Sequence, residues 1–179
     1  MHIFCKLILY AGINESNAPD KPVNPSAQLK HSDLESEISQ KLVYKQVGLI
    51  IYKMKKSGPR VLLITSRETG RWVIPKGWPM KGKPDSKAAL QEAWEEAGLA
   101  KIKGSVERIG TYFYEKAYRK SKNKPVFVKT YLAEAKTFKT KFPDAGQRKL
   151  KWVKPKRAAK MVKEPSLRQT FKDLAKNKL

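Results

Sequence analysis

Apolar and polar positions fall into a regular pattern from about Leu42 onward. Val43 to Met54 places Val47, Leu49, Ile50, Ile51 and Tyr52 in a short, β-branched and aromatic run, which predicts a strand. Lys55-Lys-Ser-Gly-Pro59 is a turn, and Arg60 to Ser66, with Val61-Leu-Leu-Ile64, is a second strand, so the two form a hairpin. Arg71 to Pro75 reads as a third, short strand, followed by a Gly/Pro/Lys loop over 77–84. The spacing then changes to helical over Ser86–Ala97. Asp85 or Ser86 is the expected cap at its start, and Gly98 supplies a left-handed stop. Leu90, Ala93, Trp94 and Ala97 form the expected buried face. Alternation returns in Ile102–Tyr118 and Pro125–Ala135, with Lys120–Lys124 as the hairpin tip, and again in Lys149–Val153. Two helices follow, Pro155–Val162 and Pro165 to about Lys176, the last with Leu167, Phe171 and Leu174 on one side. Strands, one helix, strands and two helices, without an internal repeat, predict a layered α+β domain over 41–179.

The first forty residues do not share this pattern. A short apolar stretch (Ile3, Phe4, Leu7, Ile8, Leu9) is followed by an Asn-, Ser- and Pro-rich segment, which predicts a flexible N-terminal extension over 1–40. The stretch has no basic leader and no small-residue cleavage site, so a cytoplasmic protein is expected. No apolar run has the length of a bilayer span, so no membrane partner is expected. With one cysteine, Cys5, and two histidines, His2 and His31, neither a disulfide framework nor a Cys- or His-based metal site can be built within the chain.

Charge changes the picture more than length does. Of 179 residues, 39 are Lys or Arg and 16 are Asp or Glu, a net charge of +23. The excess is concentrated late, since residues 101–179 hold 24 basic and 6 acidic side chains. Such a surface attracts polyanions: phosphorylated small molecules or nucleic acid. Against that background, residues 41–100 carry only Glu68, Asp85, Glu92, Glu95 and Glu96 as acids, and three of the five share one helix at i, i+3 and i+4. Like charges at that spacing repel, and a hard divalent cation would relieve them. These three carboxylates are expected to face outward.

The stretch from Gly77 through Lys83, Gln91-Glu92-Ala93-Trp94-Glu95-Glu96 to Gly98-Leu99 resembles the Nudix box: Gly, five residues, Glu, seven residues, Arg-Glu-aliphatic, one residue, Glu-Glu, one residue, Gly-aliphatic. All the spacings match. Gly77, Glu92, Glu95, Glu96, Gly98 and Leu99 occupy their family positions, while Lys83 replaces the first Glu and Gln91 replaces the Arg. The flanking elements follow the Nudix order from about residue 42 to 176. The resemblance implies a mixed sheet sandwiched between helices, α/β/α, and hydrolysis of a diphosphate linkage with the help of Mg²⁺ or Mn²⁺. Within the family, residues 67–98 look most like bacterial members of the branch that hydrolyses diphosphoinositol and dinucleoside polyphosphates.

Carried onto this chain, the resemblance assigns Glu92, Glu95 and Glu96 as catalytic metal ligands. The backbone carbonyl of Lys76 joins them, with Gly77 letting the loop approach the ion. The family Arg orients a catalytic carboxylate, and Gln91 can still donate a weaker, neutral bond there. Lys83 removes a loop carboxylate and is instead a candidate phosphate contact. Arg67, Lys45 and Arg71 are further phosphate candidates, and Trp78 in the loop is the candidate for stacking on a base. Trp72 and the Tyr112-Phe-Tyr114 run are expected in the sheet core, and Trp152 and Phe171 beneath the last helices. The expected partner is a small polyphosphate substrate: a diphosphoinositol polyphosphate, a dinucleoside polyphosphate or a nucleoside diphosphate derivative. The less favoured alternative is an RNA-binding module, or a hydrolase of RNA 5′ ends, on the same scaffold. Oligomeric state is left open. Because the proposed ligands all lie beyond residue 40, deletion of residues 1–40 is expected to spare both the melting transition and turnover, as thermal melts and a hydrolysis assay of the truncated chain would register.

Overall fold

The computed structural model describes residues 44–118 and 121–176. The expected N-terminal extension, with Cys5 and both histidines, lies outside the described residues. The elements are β1 (Tyr44–Lys53), β2 (Arg60–Thr65), β3 (Trp72–Val73), β4 (Lys76–Gly77), α1 (Asp85–Ala97), β5 (Leu99–Tyr118), β6 (Ser121–Phe138), β7 (Leu150–Val153), α2 (Pro155–Met161) and α3 (Pro165–Lys176). They form a mixed sheet in the order β3-β2-β1-β6-β5, with β4 added to β1 and β7 to β2. The β1–β6 pair is parallel, and the other pairs are antiparallel. Among the described residues, no helix is long and apolar enough to cross a membrane.

Strand alternation divides the core into two layers. In β1, Val47, Leu49 and Ile51 face α1, together with Leu62 and Ile64 of β2 and Tyr131, Ala133 and Ala135 of β6. Ile50, Val61, Leu63, Val126, Val128 and Leu132 face the other way, against Leu167 and Phe171 of α3 and Ala158 and Ala159 of α2. The architecture is therefore the expected α/β/α sandwich.

Several details differ from expectation. The first helix presents alanines to the sheet: Ala88, Ala89, Ala93 and Ala97 are buried, whereas Trp94 is half-buried on the outer side. Small side chains let the helix axis lie close to the sheet, which leaves no room for an indole beneath it. No side chain caps the helix start. Pro84 occupies the cap, and its carbonyl accepts from Lys87 and Ala88 N–H; the Asp85 carboxylate is taken by Lys129 Nζ at 2.6 Å. Trp152 lies in the α1 layer, edge-on to Phe138 with ring centroids 5.7 Å apart, rather than under the last helices. Phe171 does seat α3, and Trp72 packs in that layer. The β5–β6 ladder runs on through Lys116↔Lys124 to Tyr118↔Ser121, so 121–124 are strand rather than hairpin tip. Phe113 is 55% exposed while its neighbour Tyr112 is buried, because adjacent residues on a strand face opposite sides.

The helix stop is as expected. Gly98 sits at φ 74°, ψ 18°, and its N–H returns to Trp94 O at 2.9 Å. The 139–149 loop packs against it, with Lys139 N–H donating to Gly98 O at 2.8 Å. A Cβ on residue 98 would lie 2.6 Å from the Lys139 carbonyl oxygen and 2.7 Å from the Phe142 ring. Gly98→Ala therefore combines left-handed strain with a backbone clash and should cost about 2–4 kcal/mol in urea denaturation.

Candidate active site

The box helix and the loop before it meet at the edge of the α2/α3 layer. β4 holds that loop in place by pairing Gly77 with Val47 and Lys76 with Gly48, and Leu49 N–H donates to Pro75 O at 3.0 Å. This two-residue pairing was not legible as a strand, since Lys-Gly has no strand character of its own. It places the Gly77 backbone directly against Glu92: a Cβ on residue 77 would lie 2.0 Å from the Glu92 carboxylate. Only glycine allows that approach.

A cleft of about 760 Å³ opens there. Glu92 and Glu96 project into its floor beside Lys76 and Gly77. Arg67, Arg71, Lys116, Arg148 and Lys163 bring positive charge, and Trp78, Phe113 and Tyr114 line the rest with Gln46. The carboxylate face is not an exposed one, as the spacing suggested: Glu96 is only 8% exposed. The Lys76 backbone N–H donates to its Oε2 at 2.9 Å, and Arg148 Nη2 pairs with its Oε1. Glu95 turns along the helix to accept from Gln91 Nε2 at 2.6 Å, so Gln91 does hold a carboxylate, by a neutral bond.

Arg148 carries the charged clamp, and nothing in the box pointed to it. Its side chain is 6% exposed. Besides Glu96, its Nε donates to Asp144 Oδ2 at 2.9 Å and its Nη1 to the Thr65 carbonyl at 3.1 Å. One guanidinium thus ties together α1, the 139–149 loop and the end of β2. A fork of donors suits this position, where the point charge of a lysine would not. The signal available in the sequence was weak: an Asp and an Arg at i, i+4 in an otherwise basic, irregular stretch.

The other predicted residues divide. Arg67 stands at the cleft rim, 60% exposed at its side chain and 3.7 Å from Asp144. Arg71 is in the cleft but is paired with the buried Glu164, with its guanidinium over the Tyr114 ring, so its charge is already balanced. Trp78 is 41% exposed on the cleft wall, edge-on to Tyr44 at 5.8 Å, with Lys116 Nζ 5.2 Å from its ring centroid. Lys45 and Lys83 are not in the cleft. Lys45 shares the parity of Val47 and Leu49 and faces the α1 side, leaving Gln46 to line the cleft. Lys83 lies on the outer side of α1.

Electrostatics concentrate on Glu92. Burial, then the Glu96 and Glu95 carboxylates, push its pKa up from 4.5 to about 7. Burial also raises Glu96, opposed by the Lys76 N–H and Arg148. Burial lowers the Lys76 ammonium, against the pull of Glu96. Glu92 and Glu96 offer oxygen donors in one cleft, and their mutual repulsion suits a hard divalent cation. Among the described residues, no three carboxylates already converge on one point. The reason is visible in the geometry: Glu95 is held aside by Gln91.

A family model described as the NUDIX domain matches residues 44–174. The asymmetrical bis(5′-nucleosyl)-tetraphosphatase of Caenorhabditis elegans is 33% identical over 96 residues, which span 52% of this chain and 66%, just under two thirds, of that relative. The crystal structure of the C. elegans Ap4A hydrolase superposes with a TM-score of 0.55 at 27% identity, covering 74% of this chain and 98% of that one. The E. coli dihydroneopterin triphosphate pyrophosphohydrolase, with a TM-score of 0.55 at 17% identity over 75% of this chain and 99% of that one, shares the fold.

Two outcomes follow from the clamp and the carboxylate pair. Arg148→Met leaves the buried Glu96 without its paired guanidinium and Asp144 with only the loose contact to Arg67, and should lower stability by about 3–5 kcal/mol in denaturant titration, with Arg148→Lys recovering only part. For Glu92 in metal-free protein, the folded state holds more protons than the unfolded chain between pH 4.5 and about 7. Its contribution to stability therefore falls as pH rises through that window. In EDTA, Glu92→Gln should raise the melting temperature at pH 8 and leave it nearly unchanged at pH 5.

Proposed function

The chain belongs to the Nudix family, and on that premise we propose that it is a Mg²⁺- or Mn²⁺-dependent pyrophosphohydrolase of dinucleoside polyphosphates. One observation carries the choice of substrate: the cleft joins the box carboxylates Glu92 and Glu96 to two exposed aromatic side chains, Trp78 and Phe113. A planar base gains about 1–3 kcal/mol by stacking on such a ring, whereas the puckered, hydroxylated ring of an inositol phosphate does not stack. The similarity to the C. elegans tetraphosphatase and Ap4A hydrolase supports the same reading.

Glu92, Glu96 and the Lys76 carbonyl would hold the metal, with Glu95 reaching it through water; the ion would neutralise the diphosphate and make a bound water acidic. The remaining work falls to the chain. Trp78 and Phe113 orient the nucleoside. Arg67, whose contact with Asp144 is loose, and Lys163, an exposed residue of the cleft lining, are the cations for the phosphates. Arg148 and the Lys76 N–H keep Glu96 fixed, so that substrate binding does not have to order it.

The test is hydrolysis in Mg²⁺ of a dinucleoside tetraphosphate beside a diphosphoinositol polyphosphate. The dinucleotide should be the better substrate. Trp78→Ala/Phe113→Ala should raise its KM about tenfold with kcat within about threefold. Preference for the diphosphoinositol, or a KM that ignores both aromatics, would overturn the assignment.

A further inference from the structure

A second groove, of about 750 Å³, lies on the reverse of α1 and shares no lining residue with the catalytic cleft. Leu90, Leu99 and Ile102 make its floor. Trp94 stands half-buried in its wall. Around it are the exposed lysines 83, 87, 101 and 136, with no carboxylate among the lining residues. The ion pairs of the described residues leave all four ammonium groups unengaged. Nearby lysines do find partners, Lys129 with Asp85 and Lys103 with Glu134, whereas these four do not.

Both departures from the Nudix box open here. Lys83, where the box has Glu, is on this wall and not in the cleft. So is Gln91, where the box has Arg. Gln91 gives its amide N–H to Glu95, which leaves its carbonyl oxygen as an acceptor.

We propose that this groove is a second, non-catalytic binding site for a phosphorylated nucleoside, with the base against Trp94 and the phosphates among Lys83, Lys87, Lys101 and Lys136. The chemistry is that of single-strand and nucleotide recognition: an aromatic face for a base, beside point charges for phosphate. Four unneutralised ammonium groups on one concave surface concentrate polyanions there. The ligand is either a free nucleotide or one unit of an RNA strand. The assignment does not rest on the hydrolytic reading of the cleft.

The test uses the full chain in EDTA, with the Trp94 indole N–H resonance as a local probe, identified by its loss in Trp94→Phe. ATP and a decauridylate are titrated separately. The Trp94 resonance should shift saturably, and Lys87→Glu/Lys101→Glu should weaken the fitted affinity about tenfold or more. Hydrolysis by that double variant should stay within about twofold of the parent, since neither lysine lines the cleft. Tighter binding of ATP identifies a free nucleotide as the source, and tighter binding of the decauridylate identifies a strand. A Trp94 resonance that moves with neither probe, or moves equally in the double variant, would overturn the proposal while leaving the hydrolysis result untouched.

Discussion

The site depends on burying one carboxylate. Glu96 sits where α1 meets the sheet and the β4 loop, nearly out of water, and a lone ion there would be costly. It is tolerated because one oxygen receives the Lys76 backbone N–H and the other receives Arg148. Those two bonds also set the geometry around them. The first locks the loop that brings Gly77 against Glu92, and the second draws the 139–149 loop and the end of β2 onto the helix. Fold and site are thus stabilised by the same contacts, and a change at Arg148 is felt in both.

The box helix works on both of its long sides. Its alanines allow close approach to the sheet, its glutamates reach the cleft at one edge, and its outer surface carries Lys87, Gln91 and Trp94. Positive charge is arranged differently on the two sides. In the cleft much of it is balanced, Arg71 by Glu164 and Arg148 by Glu96 and Asp144. In the outer groove it is not. Balanced cations keep carboxylates in place for chemistry, while unbalanced ones attract a ligand, and the two grooves use the same residue types for these different ends.

Much of the molecule could be read from local pattern. Strand alternation, the helix over 85–97, its glycine stop and the two closing helices each follow from residues within a few positions of one another, where propensity and capping act. The box glutamates were legible for the same reason: i, i+3 and i+4 spacing is a property of one helix. The errors lie where parity or packing intervened. Lys45 was one residue out of phase with the cleft wall, and Phe113 one residue out of phase with the core.

The sequence by itself determined the order of elements, the Nudix box with its two departures, and the basic excess, because these are read from spacing and count along one chain. Only the tertiary structure decided which oxygens are buried and who holds them. Arg148 lies 52 residues from Glu96 and 83 from Thr65, and no periodicity connects them. The same holds for the outward turn of Trp94, the neutralisation of Arg71, and the gathering of Lys83, Lys101 and Lys136 around one groove. Each depends on which distant strands and loops meet at a surface, and that is set by the packing of the two layers against the sheet rather than by any local preference.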